Sequence, residues 1–270
     1  VTQGVTRICL VGATGLVGSA LMAEAVGRED VRIIGVGRRE AALPPGARME
    51  MLVGEPIDWP ELIRAAQADV LVCALGTTIA AAGSREQFRA IDHDLVRFTA
   101  EAARSAGIEH MVVVSSVEAD RESRNFYLSV KGETEEALGR VGFRRLDVLR
   151  PSLLRGERAE RRPMEAGWQM VAPVVDVLVL HGSWRRFRSI RGRDVARAIL
   201  GFVREQAEGR HVHEHDALKV AAGRASGKTW PRRGIVPELT KPCVDLHRPL
   251  TQGSAHSLTR AGETSDRFVG

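Results

Sequence analysis

The sequence predicts an α/β fold, a doubly wound parallel sheet with a smaller region appended at its C-terminal side. Three observations predict it. Short β-branched runs alternate with segments of helical spacing as far as Pro151. The central runs are apolar on both faces, as parallel strands must be when helices cover both sides. The chemistry-bearing residues fall at the C-terminal ends of those runs or in the helices that follow, where open α/β sheets bind ligands.

Val5–Val11 is a β-rich run that ends in a glycine-rich turn, and Leu16–Val26 then has helical spacing. Val31–Val36 and Arg48–Val53 read as the second and third strands, with a short helix at Pro60–Ala68. Asp69–Leu75 (D-V-L-V-C-A-L) reads as a fourth, fully buried strand. Phe88–Ala106 reads as one long amphipathic helix stopped by Gly107. A buried strand at Glu109–Val114, a helix at Phe126–Val141 and a strand at Phe143–Leu149 follow. Residues 152–190 read as an excursion with one apolar helix, Asp194–Arg204 as an amphipathic helix capped by its aspartate, and Gly209–His213 as a last edge strand. Periodicity ends near residue 222. Residues 1–222 are therefore expected to form one domain and 223–270 a disordered tail, which holds four of the eleven prolines and six glycines.

Composition excludes some functions. Aromatic residues are only 4%, too few for a platform that stacks single-stranded nucleic acid. The net charge is +5, but residues 223–270 carry eight Lys/Arg against four Asp/Glu, so the rest of the chain is near neutral and no nucleic-acid partner is expected. Val171–Leu180 is too short to span a bilayer and contains Pro173 and Asp176, so no membrane partner is expected either. Cys9, Cys73 and Cys243 show no paired spacing, which suits a reducing compartment and makes a cytoplasmic location the expectation.

Gly12, Gly15 and Gly18 stand as G-x-x-G-x-x-G directly after the first strand and open a helix. Glycine there permits a tight turn, close backbone approach to a pyrophosphate and close helix packing, and the helix N-terminus offers free N–H groups. A carboxylate at the end of the second strand would select a free ribose 2′-hydroxyl. Gly37-Arg38-Arg39 stands there instead, and two guanidinium groups suit a 2′-phosphate. The expected cofactor is therefore NADP(H). Residues 73–78, C-A-L-G-T-T, close the fourth strand, where Gly76 lets backbone approach a ligand and Thr77 offers a donor.

Tyr127, the only tyrosine, and Lys131 are i and i+4 on one helix face. An ammonium beside a phenol favours the phenolate, so the tyrosine can exchange a proton with a carbonyl or alcohol oxygen. Ser115 and Ser116 end the preceding strand. Ser116 is the expected hydrogen-bond donor to that oxygen, with Ser115 the alternative. H-V-H-E-H at 211–215 is expected to present its imidazoles on one exposed strand face, with no cysteine nearby, so no metal is expected. His93 reads as a polar-face residue. The arginines at 155–162 and 185–193 suit either an anionic substrate or a solvated, salt-bridged rim.

These residues resemble the short-chain dehydrogenase/reductase superfamily, and more narrowly its atypical branch, close to the Tat-interacting-protein-type oxidoreductases. The resemblance rests on G-A-T-G-L-V-G, G-R-R, C-A-L-G-T-T, V-V-S-S, N-F-Y-L-S-V-K-G-E and L-R-P-S-L-L, across about residues 5–215. It implies a Rossmann-like domain with a small C-terminal substrate-binding region, mainly 152–193. It implies Gly12, Thr14, Gly15, Leu16, Val17 and Gly18 at the pyrophosphate, and Arg38 and Arg39 at the 2′-phosphate. Leu75, Gly76, Thr77 and Ser115 would line the dinucleotide. Ser116, Tyr127 and Lys131 match the catalytic positions, Lys131 also holding the nicotinamide ribose, and Pro151 and Leu153 lie near the carboxamide. The expected activity is NADPH-dependent hydride transfer to or from a small carbonyl, enone or alcohol, by a monomer or homodimer. Two alternatives stand beside it: an NADPH-sensing regulatory protein with little turnover, and an isomerase of the nucleotide-sugar-epimerase kind.

Overall fold

A computed structural model describes residues 4–155 and 186–225 of the chain. Seven strands form one parallel sheet: β1 (Thr6–Val11), β2 (Val31–Gly37), β3 (Glu50–Val53), β4 (Val70–Cys73), β5 (His110–Val114), β6 (Arg145–Leu149) and β9 (Gly209–His213). Their order is β3-β2-β1-β4-β5-β6-β9, so the winding reverses between β1 and β4. Ligands bind in the crevice that such a reversal opens. A separate parallel pair joins β7 (Leu154–Arg155) to β8 (Ile190–Arg191).

Alternate residues of each strand feed two cores. Ile8, Leu10, Val70, Val72, Val112 and Leu149 face α1 (Leu16–Ala25) and two late helices, α7 (Gly192–Phe202) and α8 (His215–Ala225). Cys9, Val11, Leu71, Cys73, Met111, Val113 and Val148 face α2 (Trp59–Ala66), α5 (Val96–Ser105) and α6 (Phe126–Gly139). Burying each large aliphatic side chain contributes roughly 1.5–3 kcal/mol. Both described cysteines are free, and burial pushes the Cys9 thiol up to about 12 and that of Cys73 up to about 11, so they serve as small apolar groups.

Four local expectations are corrected. The strand expected at Asp69–Leu75 ends at Cys73, which frees Leu75–Thr77 as a loop. The single helix expected at Phe88–Ala106 is instead α4 (Arg85–Arg89), a π turn (Ala90–Leu95) and α5, preceded by a one-turn helix, α3 (Ile79–Ala82). Asp194 does not cap α7, whose cap is Arg191 without a side-chain bond; Asp194 lies in the first turn and pairs with Lys219 at 2.9 Å. Finally, α8 follows β9 directly and buries Leu218, Ala221 and Ala222, so ordered packing extends to Ala225. Among the described residues no helix is long and apolar enough to cross a membrane. Val171–Leu180, the arginines at 156–162, Cys243 and the tail from residue 226 lie outside the described residues.

Candidate functional site

The site grows from the turn after β1. Gly12 has φ +93°, a left-handed conformation that glycine adopts without strain. A Cβ there would also lie 2.6 Å from the carbonyl carbon and oxygen of Ala74, so the turn after β1 touches the loop after β4. A Cβ on Gly18 would lie 2.1 Å from the Gly12 carbonyl oxygen, so only glycine lets α1 start this close to the turn. Gly15 caps α1 without a side-chain hydrogen bond, so among the described residues the first N–H groups of the helix, from Leu16 and Val17 onward, have no side-chain acceptor. Thr14 is exposed beside them. This cradle fits a pyrophosphate in backbone shape and in dipole sense.

Arg38 and Arg39 are exposed just beyond Gly37, the last residue of β2. Because β2 pairs with β1 in parallel, both follow the C-terminal end of the strand next to the one that leads into the cradle.

Tyr127 and Lys131 lie on α6, whose start is fixed by Asn125. Its side-chain oxygen accepts from the Tyr127 N–H at 2.9 Å and the Leu128 N–H at 3.4 Å. Tyr127 is half-buried, with its ring 5.4 Å from that of the fully buried Phe88. Lys131 is buried, and its Nζ lies 2.7 Å from Asp92 Oδ1. Asp92 sits in the π turn and accepts the Thr77 N–H through Oδ2 at 2.9 Å. Gly76 closes over the pair: a Cβ there would lie 3.6 Å from Asp92 Oδ1 and 3.8 Å from Lys131 Nζ. Burial pushes the Lys131 ammonium down, but the Asp92 carboxylate and the Tyr127 phenol more than reverse this, so it is held above the usual lysine range.

The two serines part company. Ser115 is buried, and its Oγ donates to Glu135 Oε1 at 2.6 Å. Arg150 clasps the same carboxylate at 2.6 Å, Arg210 reaches it at 2.9 Å, and Arg150 Nη2 also donates to the Ala119 carbonyl at 3.0 Å. Ser116 is half-buried, and among the described residues its Oγ reaches only the neighbouring Val117 carbonyl, at 3.2 Å. Pro151 is buried, with its carbonyl accepting the Val117 N–H at 3.0 Å, while Leu153 is 52% exposed. One side of α6 therefore carries Tyr127, Lys131 and Glu135 in steps of four, and Glu135 ties the serine loop to the end of β6.

The histidine expectation is corrected. His213 is buried, stacked on Phe202 at 4.0 Å, and His215 is buried at the start of α8. His213 Nε2 lies 2.7 Å from Asp147 Oδ1, His110 Nε2 lies 2.7 Å from Asp147 Oδ2, and Arg145 closes on both oxygens at 2.6 and 2.7 Å. This cluster joins β5, β6 and β9 and belongs to the fold. Among the described residues no group of three or more His, Cys, Asp or Glu side chains is placed to hold a metal ion. His93 is half-buried beside Asp94. Of the rim arginines, Arg186 pairs with Glu118 and Arg193 with Glu24.

Sequence reasoning missed Asp92, Glu135 and Arg150. The signal for Asp92 was a carboxylate inside the i+4 series Phe88, Asp92, Val96, Ala100, whose other members are buried apolar residues. For Glu135 it was a second acidic step beyond Tyr127 and Lys131.

Residues 12–153 match the family model described as NAD(P)H-binding. Protein fmp52, mitochondrial, of Emericella nidulans is 38% identical over 167 residues, which cover 59% of this chain and 72% of that protein. Protein FMP52-1, mitochondrial, of Scheffersomyces stipitis is 32% identical over 204 residues, covering 74% and 88%. Among solved structures, a putative NAD-dependent epimerase/dehydratase from Bacillus halodurans superposes with TM-score 0.57 at 23% identity, covering 80% of this chain and 98% of that one. The Bordetella bronchiseptica enzyme WbmH in complex with NAD+ gives 0.59 at 14% identity, covering 78% and 76%. These two likenesses establish the fold. The cytoplasmic expectation is overturned by the relatives, whose names place them in mitochondria. Unpaired thiols report a reducing environment and do not distinguish one such compartment from another.

Proposed function

We propose, because this chain belongs to the NAD(P)H-binding family within the short-chain dehydrogenase/reductase superfamily, that it is an NADPH-dependent oxidoreductase acting on a small carbonyl, enone or alcohol. The observation that carries this reading is the convergence of the glycine cradle, the Gly76–Thr77 loop and the Tyr127–Lys131 pair at the C-terminal side of one sheet. Gly12 to Gly18 would hold the pyrophosphate, Arg38 and Arg39 the 2′-phosphate, and Lys131 the nicotinamide ribose. The bound cofactor supplies the hydride. Tyr127 Oη passes a proton to the substrate oxygen as it gains negative charge, and Ser116 Oγ donates a hydrogen bond to the same oxygen. The substrate region expected at 152–193 falls mostly on residues 156–185, which lie outside the described residues. The relatives' names support a mitochondrial setting.

Titration with NADPH and NADH, and turnover of Tyr127→Phe on a carbonyl panel, test this. NADPH binding that is retained within about twofold, with turnover down at least about a hundredfold, is the expected result. Undiminished turnover in that variant sinks the mechanism. The Asp92 carboxylate on Lys131 favours a second reading, a cofactor sensor with little turnover, because the ammonium's charge is already neutralised. Tight NADPH binding by the unmodified protein with no turnover across the panel would select it.

A further inference from the structure

Lys131 is paired with a group that proton transfer by Tyr127 does not require. Asp92 is 0% exposed, and burying an ion pair carries a desolvation cost that its attraction repays only in good geometry. An asparagine would satisfy the Thr77 N–H equally well. The Asp92 carbonyl takes the Thr134 hydroxyl at 3.0 Å whatever its side chain is. What the carboxylate alone adds is negative charge 2.7 Å from Lys131 Nζ.

That charge has two effects. It keeps a buried amine in its ammonium form, against desolvation. It also fixes where the ammonium sits, 2.7 Å from the carboxylate and close to Gly76. Because the other carboxylate oxygen holds the Thr77 N–H, the cation and the loop after β4 share one anchor.

We infer that Asp92 is a positioning residue for the cofactor, keeping Lys131 charged and fixed beside the Gly76–Thr77 loop so that dinucleotide affinity stays flat from neutral to alkaline pH. This rests on the reading of Lys131 as the ribose ligand. The other titratable groups near Lys131 are Cys73 at the end of β4 and Tyr127 and Glu135 on α6. The Cys73 thiol is pushed up to about 11, above the window used, and Glu135 is held by Arg150 and Arg210.

The test is NADPH titration from pH 6.5 to 9 of Tyr127→Phe, of the same protein with Asp92→Asn, and of the same protein with Asp92→Asn and Lys131→Met. The Tyr127→Phe background keeps the phenol out of the titration. Affinity is expected to change less than about threefold across the range in the first protein. It should fall at least about tenfold with rising pH in the second, and be weak but flat in the third. A flat profile with Asp92→Asn overturns the inference, and so does a pH dependence that survives Lys131→Met. Should Asp92→Asn not fold, Asp92→Glu carries the test by moving the charge one methylene. Affinity lowered about fivefold or more supports the inference, and affinity equal to the parent overturns it. Absence of NADPH binding by the unmodified protein would instead overturn the functional reading beneath it.

Discussion

Ser115 Oγ donates a 2.6 Å hydrogen bond to Glu135 Oε1, and this one contact separates two adjacent serines into different roles. Ser115 is committed to a buried carboxylate, whereas Ser116 bonds the carbonyl next to it. Ser115→Ala should cost about 1–3 kcal/mol of stability by removing a buried charge-assisted hydrogen bond. Its NADPH affinity should stay within about threefold. Ser116→Ala should leave stability within about 0.5 kcal/mol and lower turnover at least about tenfold. Denaturant melts and kcat measured on both variants check the pair, and reversed outcomes would move the substrate-facing role to Ser115.

Gly18→Ala should abolish cofactor binding. The new methyl would lie 2.1 Å from the Gly12 carbonyl oxygen, which is backbone and cannot rotate away. Either α1 retreats from the turn or the turn opens, and each destroys the cradle. A stability loss of about 2–4 kcal/mol should accompany it. Gly139→Ala is the matched control, since nothing lies within 4 Å of the methyl it would add. NADPH titration and thermal melts of the two read the difference.

Arg38→Ala with Arg39→Ala should weaken NADPH binding about 10- to 100-fold and change NADH affinity less than about twofold, because only the former carries the phosphate the guanidinium groups would pair with. Equal losses for the two cofactors would return these arginines to the solvated surface.

Stability should fall on acidification, and Asp147 sets the direction. Burial pushes its carboxyl up, but hydrogen bonds from His110 and His213 and the Arg145 guanidinium more than offset this and hold it well below the usual carboxylate value of 3.8. A depressed carboxyl contributes stability that is complete above that usual value and is lost as pH falls below it, toward the folded value. The slope attributable to this group is at most about 1.4 kcal/mol per pH unit. Urea melts at pH 6, 4 and 3 should show the loss, with a shallower acid slope in Asp147→Asn. An unchanged slope in that variant would assign the acid sensitivity elsewhere.

The strand–helix alternation was legible because parallel strands carry long apolar runs and their glycine turns are local. The glycine cradle was legible for the same reason: its chemistry lies within seven consecutive residues. The Lys131–Asp92 pair was not. Its partners lie 39 positions apart, and although helical spacing sets Asp92 in line with the apolar Phe88, Val96 and Ala100, nothing local names Lys131 as the group it meets there. The choice between Ser115 and Ser116 hung on Glu135, one turn beyond the Tyr127–Lys131 motif. The three-histidine run misled because alternation fixes which side of a strand a residue occupies, while burial depends on what packs there. Phe202 of α7 and Asp147 of β6 cover His213.

The ladder between β6 and β9 begins with Arg145 opposite Gly209, so the sheet's last strand arrives from far along the chain. The segment that matches the family, 12–153, stops before that strand. A fragment cut at its end would keep the glycine cradle, Tyr127 and Lys131, yet leave Asp147 without His213, Glu135 without Arg210 and β6 as a bare edge. The stretch that carries the recognisable motifs thus leaves the sheet one strand short. Its two most heavily paired carboxylates each wait for a partner from β9.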